Sequence, residues 1–119
     1  MRNVNEILGK YQQKVNFNFD ERQREFISLK DFAKDLGTEN TYPIEAIFIN
    51  TKSKFGDNGV IYCRNYMINL PVHLTKLCED LRQDSEFVEA VNAGQVGFKI
   101  YQYAGKNGVG YSINLVPFI

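Results

Sequence analysis

Cationic side chains alternate with aromatic rings at several positions in the second half of this chain. Tyr62 and Arg64 stand two residues apart, as do Lys99, Tyr101 and Tyr103, so each set shares one face of an extended strand. Proteins that bind single-stranded nucleic acid use cations to follow the phosphates and flat rings to stack on the bases. The candidate binding residues are Lys52, Lys54, Phe55, Tyr62, Arg64, Lys99, Tyr101, Tyr103 and Lys106.

The chain from Tyr42 onward reads as five strands interrupted once by a helical insert. Three β-rich runs lie between 42 and 70, a helical pattern fills 71–94, and two further strands fill 96–103 and 111–118. A helix after the third of five strands is the order of the OB-fold, a partly open barrel that binds oligonucleotides or oligosaccharides on one face. The two loops that flank this face both carry lysine here. We predict one domain, mainly β, with an OB-fold five-stranded barrel over 42–119 and its helix between strands 3 and 4.

Residues 1–41 are predicted to form an N-terminal extension packed on the barrel. Alternating apolar residues in Lys14–Phe19 favour a short strand. Ser28 and Asp31 resemble a capping box that begins a helix, which Gly37 would end. Further along, Asp57-Asn58-Gly59 has the composition of a turn in which the glycine takes a positive φ.

The charge of the chain is balanced overall but unevenly distributed. Fourteen basic and fourteen acidic side chains give a net charge of zero, which argues against a strong binder of duplex DNA. The segments 46–70 and 95–119 each carry a net charge of +2, whereas the helical insert 71–94 carries −3. A molecule with segregated charge can hold a local positive field while it is neutral as a whole.

Residue types that carry catalysis or bind metal ions are sparse. The chain has one histidine, His73, and two cysteines, Cys63 and Cys78, that belong to no CxxC motif, so we expect buried free thiols. No phosphate-binding glycine motif is present. We therefore expect no enzymatic activity, no cofactor and no metal site. No run is apolar enough to span a bilayer and the first residues lack a signal peptide pattern, which predicts a cytoplasmic protein that does not contact membranes.

Three segments of the chain resemble a known family. FINTKSKFGDNGVIY, YMINLPVHL and AVNAGQVGFKIYQY are similar to the small single-stranded-DNA-binding proteins of phages of lactic-acid bacteria, of the lactococcal type. The resemblance covers Tyr42 to the C-terminus. It implies an OB barrel that coats single-stranded DNA during replication and recombination, self-association into a homodimer or higher homo-oligomer, and a recombinase or replication protein as a partner in the host cytoplasm. Bacterial single-strand binders end in an acidic tail, but this chain has no acid after Glu89.

Two other interpretations remain open at this point. The same barrel could serve as a protein-interaction module that binds a replication or host protein, and the net charge of zero favours that alternative. Oligosaccharide binding also uses rings on OB-fold faces, although it has less need of the lysines. The combination of loop lysines with strand tyrosines favours single-stranded DNA.

Overall fold

The computed structural model describes residues 16–52, 56–106 and 108–118. The structure is mainly β, with 41% strand, and the described residues also form three helices. The elements in chain order are β1 Glu25–Ser28, α1 Leu29–Leu36, β2 Tyr42–Pro43, β3 Ala46–Asn50, β4 Asn58–Cys63, β5 Tyr66–Asn69, a 3₁₀ turn Val72–Leu74, α2 Thr75–Gln83, α3 Ser85–Asn92, β6 Val96–Gly105 and β7 Gly108–Pro117. The predicted mainly β character is confirmed, whereas one of the three helices, α1, precedes the predicted barrel instead of lying in the insert.

The strands form two sheets that do not close into one barrel. One sheet has the order β1-β5-β4-β3 and the other has the order β2-β6-β7. All pairs are antiparallel except β1 with β5, which run parallel. The predicted five-stranded OB-fold barrel is therefore not found as a single barrel in the described residues, since no ladder there joins β7 to the four-stranded sheet. The edge beside β5 is taken instead by β1, a strand that the sequence analysis did not predict.

The first predicted strand is divided where the chain passes from one sheet to the other. Ile44 donates its backbone N–H to Val96 O of β6 at 3.1 Å, and Glu45 donates to Tyr62 O of β4 at 2.8 Å. Consecutive residues thus bond to different sheets, so β2 and β3 are two short strands rather than one long one. This crossing holds the two sheets together at one corner.

Helix α1 packs against both sheets. The Phe32 ring lies 4.8 Å from Tyr42 and 6.3 Å from Phe98 in one sheet, and 5.6 Å from Tyr66 in the other, measured between ring centroids. The predicted start and end of this helix are confirmed. The Ser28 hydroxyl accepts the Asp31 N–H at 3.1 Å, and Gly37 follows the helix with a φ of 91°.

The strand predicted over Lys14–Phe19 is wrong where it can be compared, in residues 16–19, which belong to no strand. Their backbone bonds to a side chain instead: Asn92 accepts the Asn18 N–H at 2.7 Å and donates to Asn16 O at 2.9 Å. The alternation that predicted a strand arises because Phe17 and Phe19 both contact the Phe48 ring.

The turn predicted at Asp57-Asn58-Gly59 is also wrong, because Asn58 and Gly59 begin β4. The positive φ of this region belongs to Gly56, at 99°. Gly59 is required for close packing: a Cβ atom there would stand 2.4 Å from Cys78 Sγ. Helix α2 can therefore approach the sheet at this glycine.

In the helical insert, the last helix begins with a side-chain cap. Asp84 accepts the Phe87 N–H at 3.2 Å and begins α3. Leu74 and Cys78 of the insert are buried, whereas Leu77 is exposed. Of the helices in the described ranges, none is long and apolar enough to cross a membrane.

Candidate nucleic-acid interface

A row of exposed side chains runs along the outer face of β6. Phe98 and Ile100 point into the core, so the alternate residues Lys99, Tyr101 and Tyr103 point outward, as the sequence predicts. Tyr101 is 41% exposed and Tyr103 is 39% exposed. Their ring centroids lie 6.4 Å apart. We call Lys99, Tyr101 and Tyr103 the aromatic row.

The Tyr103 ring is held in place by its neighbours on two sides. It lies over Gly110, its cross-strand partner on β7, where a Cβ atom would come within 2.4 Å of Tyr103 Cζ. The His73 ring stands edge-on to Tyr103 at 6.0 Å, and His73 Nε2 lies 3.4 Å from Ser112 Oγ. His73 thus borders the aromatic row. Its sequence position gives no sign of this, because the contact is made only by the tertiary fold.

An open groove of about 550 Å³ lies between the β6–β7 hairpin and one end of the four-stranded sheet. We call it the amide groove, because three asparagines at the ends of neighbouring strands contribute to its lining. Two tyrosine rings and one lysine join them. These six residues are Asn50, Asn58, Asn69, Tyr103, Tyr111 and Lys30. Apart from Tyr103, they were not among the candidate site residues.

The amide groove differs from two other grooves on the described surface in its charge. No carboxylate lines it, and Lys30 gives it a cation. A second groove contains Glu79 beside Arg82, and a third contains three carboxylates with one lysine. A polyanion is therefore accommodated better in the amide groove than in either of the others.

The predicted basic residues that the structure describes are exposed, and none forms an ion pair within residues 16–52, 56–106 and 108–118. They are Lys52, Arg64, Lys99 and Lys106. Lys52 lies beside the amide groove, since its backbone N–H donates to Asn50 Oδ1 at 3.0 Å. Lys106 lies in the turn of the β6–β7 hairpin. Lys54 and Phe55 lie outside the described residues, so the two predictions made for them stay predictions.

Tyr62 and Arg64 are placed apart from the aromatic row. The half-buried Tyr62 ring lies 4.9 Å from Phe48 and 5.2 Å from Phe19. Arg64 lies in the turn after β4 with a φ of 54°, whereas Asn58 of the amide groove begins that strand. Six residues of strand correspond to roughly 20 Å. The structure therefore groups Lys52, Lys99, Tyr101, Tyr103 and Lys106 around the hairpin and leaves Tyr62 and Arg64 at the other end.

The cation above Tyr62 is Arg24, a buried residue that the sequence analysis did not single out. Its guanidinium carbon lies 4.8 Å from the Tyr62 ring centroid. It donates to Arg64 O at 3.0 Å, to Glu45 Oε2 at 3.1 Å and to Asp20 Oδ1 at 2.8 Å. Arg24 thus joins the segment before β1 to the β4–β5 turn. The ring at position 62 is consequently part of the packing around this arginine.

Both thiols are buried, as predicted, and neither is in a disulfide. Burial raises the pKa of Cys63 to about 12 and that of Cys78 to about 11, because the surrounding apolar groups disfavour the thiolate. Both side chains are therefore neutral thiols at neutral pH. Within the described ranges, no three His, Cys, Asp or Glu side chains come together as metal ligands.

Comparison of the chain with protein-family models, with curated proteins and with solved structures finds no match.

Proposed function

We propose that this protein binds single-stranded DNA without catalysing a reaction. The observation that carries the proposal is the amide groove, which has rings and a lysine but no carboxylate, next to a row of exposed tyrosines. Cations and stacking rings along one path are what a sequence-tolerant binder needs. The bases would stack on Tyr101 and Tyr103, and the phosphates would meet Lys52, Lys99 and Lys106.

The proposal includes an open form of the OB-fold. β3, β4 and β5 correspond to its first three strands, and β6 and β7 to its last two, with the helical insert between them. The end of β3, the start of β4 and the β6–β7 turn would flank the ligand, as the corresponding loops do in that fold. The resemblance to phage single-strand binders supports the same role in replication and recombination in the host cytoplasm. It also supports self-association, which light scattering would detect as a mass above 13.7 kDa.

Fluorescence anisotropy with a labelled oligo-dT and with a duplex of equal length tests the proposal. We expect tighter binding of the single strand at the same salt concentration. Three or four phosphate contacts predict a slope of log K against log salt of about −2 to −3. Equal affinities for the two forms, or a slope near zero, would contradict the proposal.

A matched pair of lysine variants sharpens this test. Lys99→Ala removes an exposed cation of the aromatic row and should reduce the slope by about 0.7. Lys76→Ala removes an exposed cation of α2 that pairs with Asp80 at 2.8 Å, and should leave the slope unchanged. Equal changes in both variants would mean that only the overall charge of the protein matters.

A second candidate is a protein-interaction module, and one observation favours it. Phe26 is 60% exposed on β1, which forms an edge of the four-stranded sheet. Exposed edges and apolar rings are common features of protein-binding surfaces. A folded protein that binds no single-stranded DNA at low salt, together with a partner whose binding Phe26→Lys abolishes, would favour this second function.

A further inference from the structure

The single histidine of the chain, His73, lies on the same face of the β6–β7 hairpin as the aromatic row. Ser112 is the cross-strand partner of Tyr101, and cross-strand partners point to the same face of a sheet. His73 Nε2 lies 3.4 Å from Ser112 Oγ, and the His73 ring stands edge-on to the Tyr103 ring at 6.0 Å between centroids. These two contacts place the imidazole beside the row. The side chain is also exposed, so a strand bound along the row can reach it.

The contact with Ser112 fixes the position of the imidazole without fixing its charge. Ser112 is only 3% exposed, and the described structure pairs its hydroxyl with His73. A hydroxyl both donates and accepts, so it can accept from a protonated Nε2 or donate to an unprotonated one. In the protonated ring both nitrogens donate, so Nδ1–H can bond to a second oxygen while Nε2–H stays on Ser112. His73 can therefore gain a positive charge in place, next to Tyr103.

Few charged side chains are present on the elements around this imidazole. Besides tyrosines, β6 and β7 carry one titratable side chain, Lys99, and β4 carries the buried Cys63. Asp57 precedes β4, and its backbone oxygen accepts the hydroxyl of Thr75, the first residue of α2, at 2.9 Å. The charged residues of α2 pair with each other or line a different groove: Lys76, Glu79, Asp80 and Arg82. The acid that a test must control for is therefore Asp57.

We propose that His73 contacts the DNA, and that its protonated ring binds a phosphate of the nucleotide stacked on Tyr103. A base that stacks on Tyr103 brings its sugar and phosphate beside that ring, where the imidazole stands. A cationic N–H there adds a charge-assisted hydrogen bond to the phosphate contacts of the lysines. The inference rests on the proposed binding of single-stranded DNA, and it adds a binding residue from outside the hairpin.

The test compares oligo-dT affinity at about pH 5.5 and at about pH 7, by anisotropy at several salt concentrations. Histidine changes its charge in this range, whereas thymine and the phosphodiester groups of DNA do not. The protonated form predominates at the lower pH and has the additional phosphate contact. We expect the affinity to be about two- to fivefold higher there, and the salt slope to be steeper by up to about 0.7.

Three variants assign the effect to one side chain. His73→Gln keeps a hydrogen-bonding side chain that cannot gain a proton, so its affinity should not rise at the lower pH. His73→Lys carries a permanent cation, so at about pH 7 it should bind as tightly as the unchanged protein binds at about pH 5.5. Asp57→Asn removes the adjoining carboxylate and should leave the affinity ratio between the two pH values unchanged.

The possible outcomes separate this inference from the proposed function. Failure to bind oligo-dT at either pH would overturn both. Binding with equal affinity at the two pH values would overturn the inference alone. A rise at the lower pH that persists in His73→Gln would also overturn it, because the protons would then be taken up by carboxylates. Circular dichroism at both pH values shows that each variant compared is folded.

Discussion

Removing single rings distinguishes a binding surface from a packed interior, and Tyr101 and Tyr62 form a suitable pair. Tyr101 is 41% exposed, and its only ring neighbour in the described structure is Tyr103 at 6.4 Å. Tyr101→Ala should therefore change the free energy of unfolding by less than about 1 kcal/mol. If the ring stacks on a base, the same variant should weaken oligo-dT binding by about 1–3 kcal/mol, roughly 5- to 150-fold.

Tyr62→Ala should lower the stability of the protein and leave its affinity for oligo-dT nearly unchanged. Its ring contacts Phe19, Phe48 and the guanidinium of Arg24. Loss of a half-buried ring with these neighbours should cost about 2–4 kcal/mol of stability, which lowers the melting temperature by roughly 10 °C. Binding by the folded fraction should change little.

Anisotropy titrations and thermal unfolding of both variants provide the check. Measurements well below the melting temperature of each variant keep the folded fraction near one. The salt slope should stay constant in Tyr101→Ala, because no phosphate contact is removed. If Tyr101→Ala melts early and binds normally, while Tyr62→Ala melts normally and binds weakly, the assignment of surface and interior is reversed.

Three further expectations follow from the described packing. Arg24→Ala removes the hydrogen bonds of a buried guanidinium to Arg64 O and to Glu45, which keeps Arg22 as a partner at 3.5 Å, and should cost about 1–3 kcal/mol in urea unfolding; an unchanged unfolding curve would contradict a structural role for Arg24. Burial raises the thiol pKa to about 12 at Cys63 and to about 11 at Cys78, so the unfolded chain loses these protons at lower pH than the folded protein does. The free energy of unfolding should therefore fall above about pH 9. This fall should be less steep in Cys63→Ala. Gly110→Ala should displace the Tyr103 ring and weaken oligo-dT binding with little change in melting temperature, and unchanged binding would show that the ring position is unimportant.

Local signals in the sequence predicted much of the secondary structure. The alternation in β6 predicted the correct exposed face, and Ser28 and Gly37 predicted the correct ends of α1. These features depend on residues close together in the chain. β1 was missed because Glu25–Ser28 is short, and its partner β5 lies about forty residues away.

The candidate site was predicted less completely, because its polar half depends on contacts between distant segments. Asn50, Asn58 and Asn69 are ordinary residues near strand ends in the sequence, and they become a set only when three strands stand side by side. The Tyr62 assignment illustrates the opposite case. A tyrosine next to a basic residue on one strand face suggested stacking, but Phe19 and Arg24 approach from a segment more than thirty-five residues earlier.

The net charge of zero becomes compatible with a nucleic-acid ligand once the charges are located. Some cations already have carboxylate partners: Arg24 is buried against Asp20 and Glu45, and Lys76 forms an exposed pair with Asp80. By contrast, Lys52, Lys99 and Lys106 have no ion-pair partner among the described residues. The net charge of the chain therefore counts cations that are paired with carboxylates together with cations that we propose to meet phosphates. A ligand experiences the local field of the groove, whose lining residues include no carboxylate, more strongly than the sum over the chain.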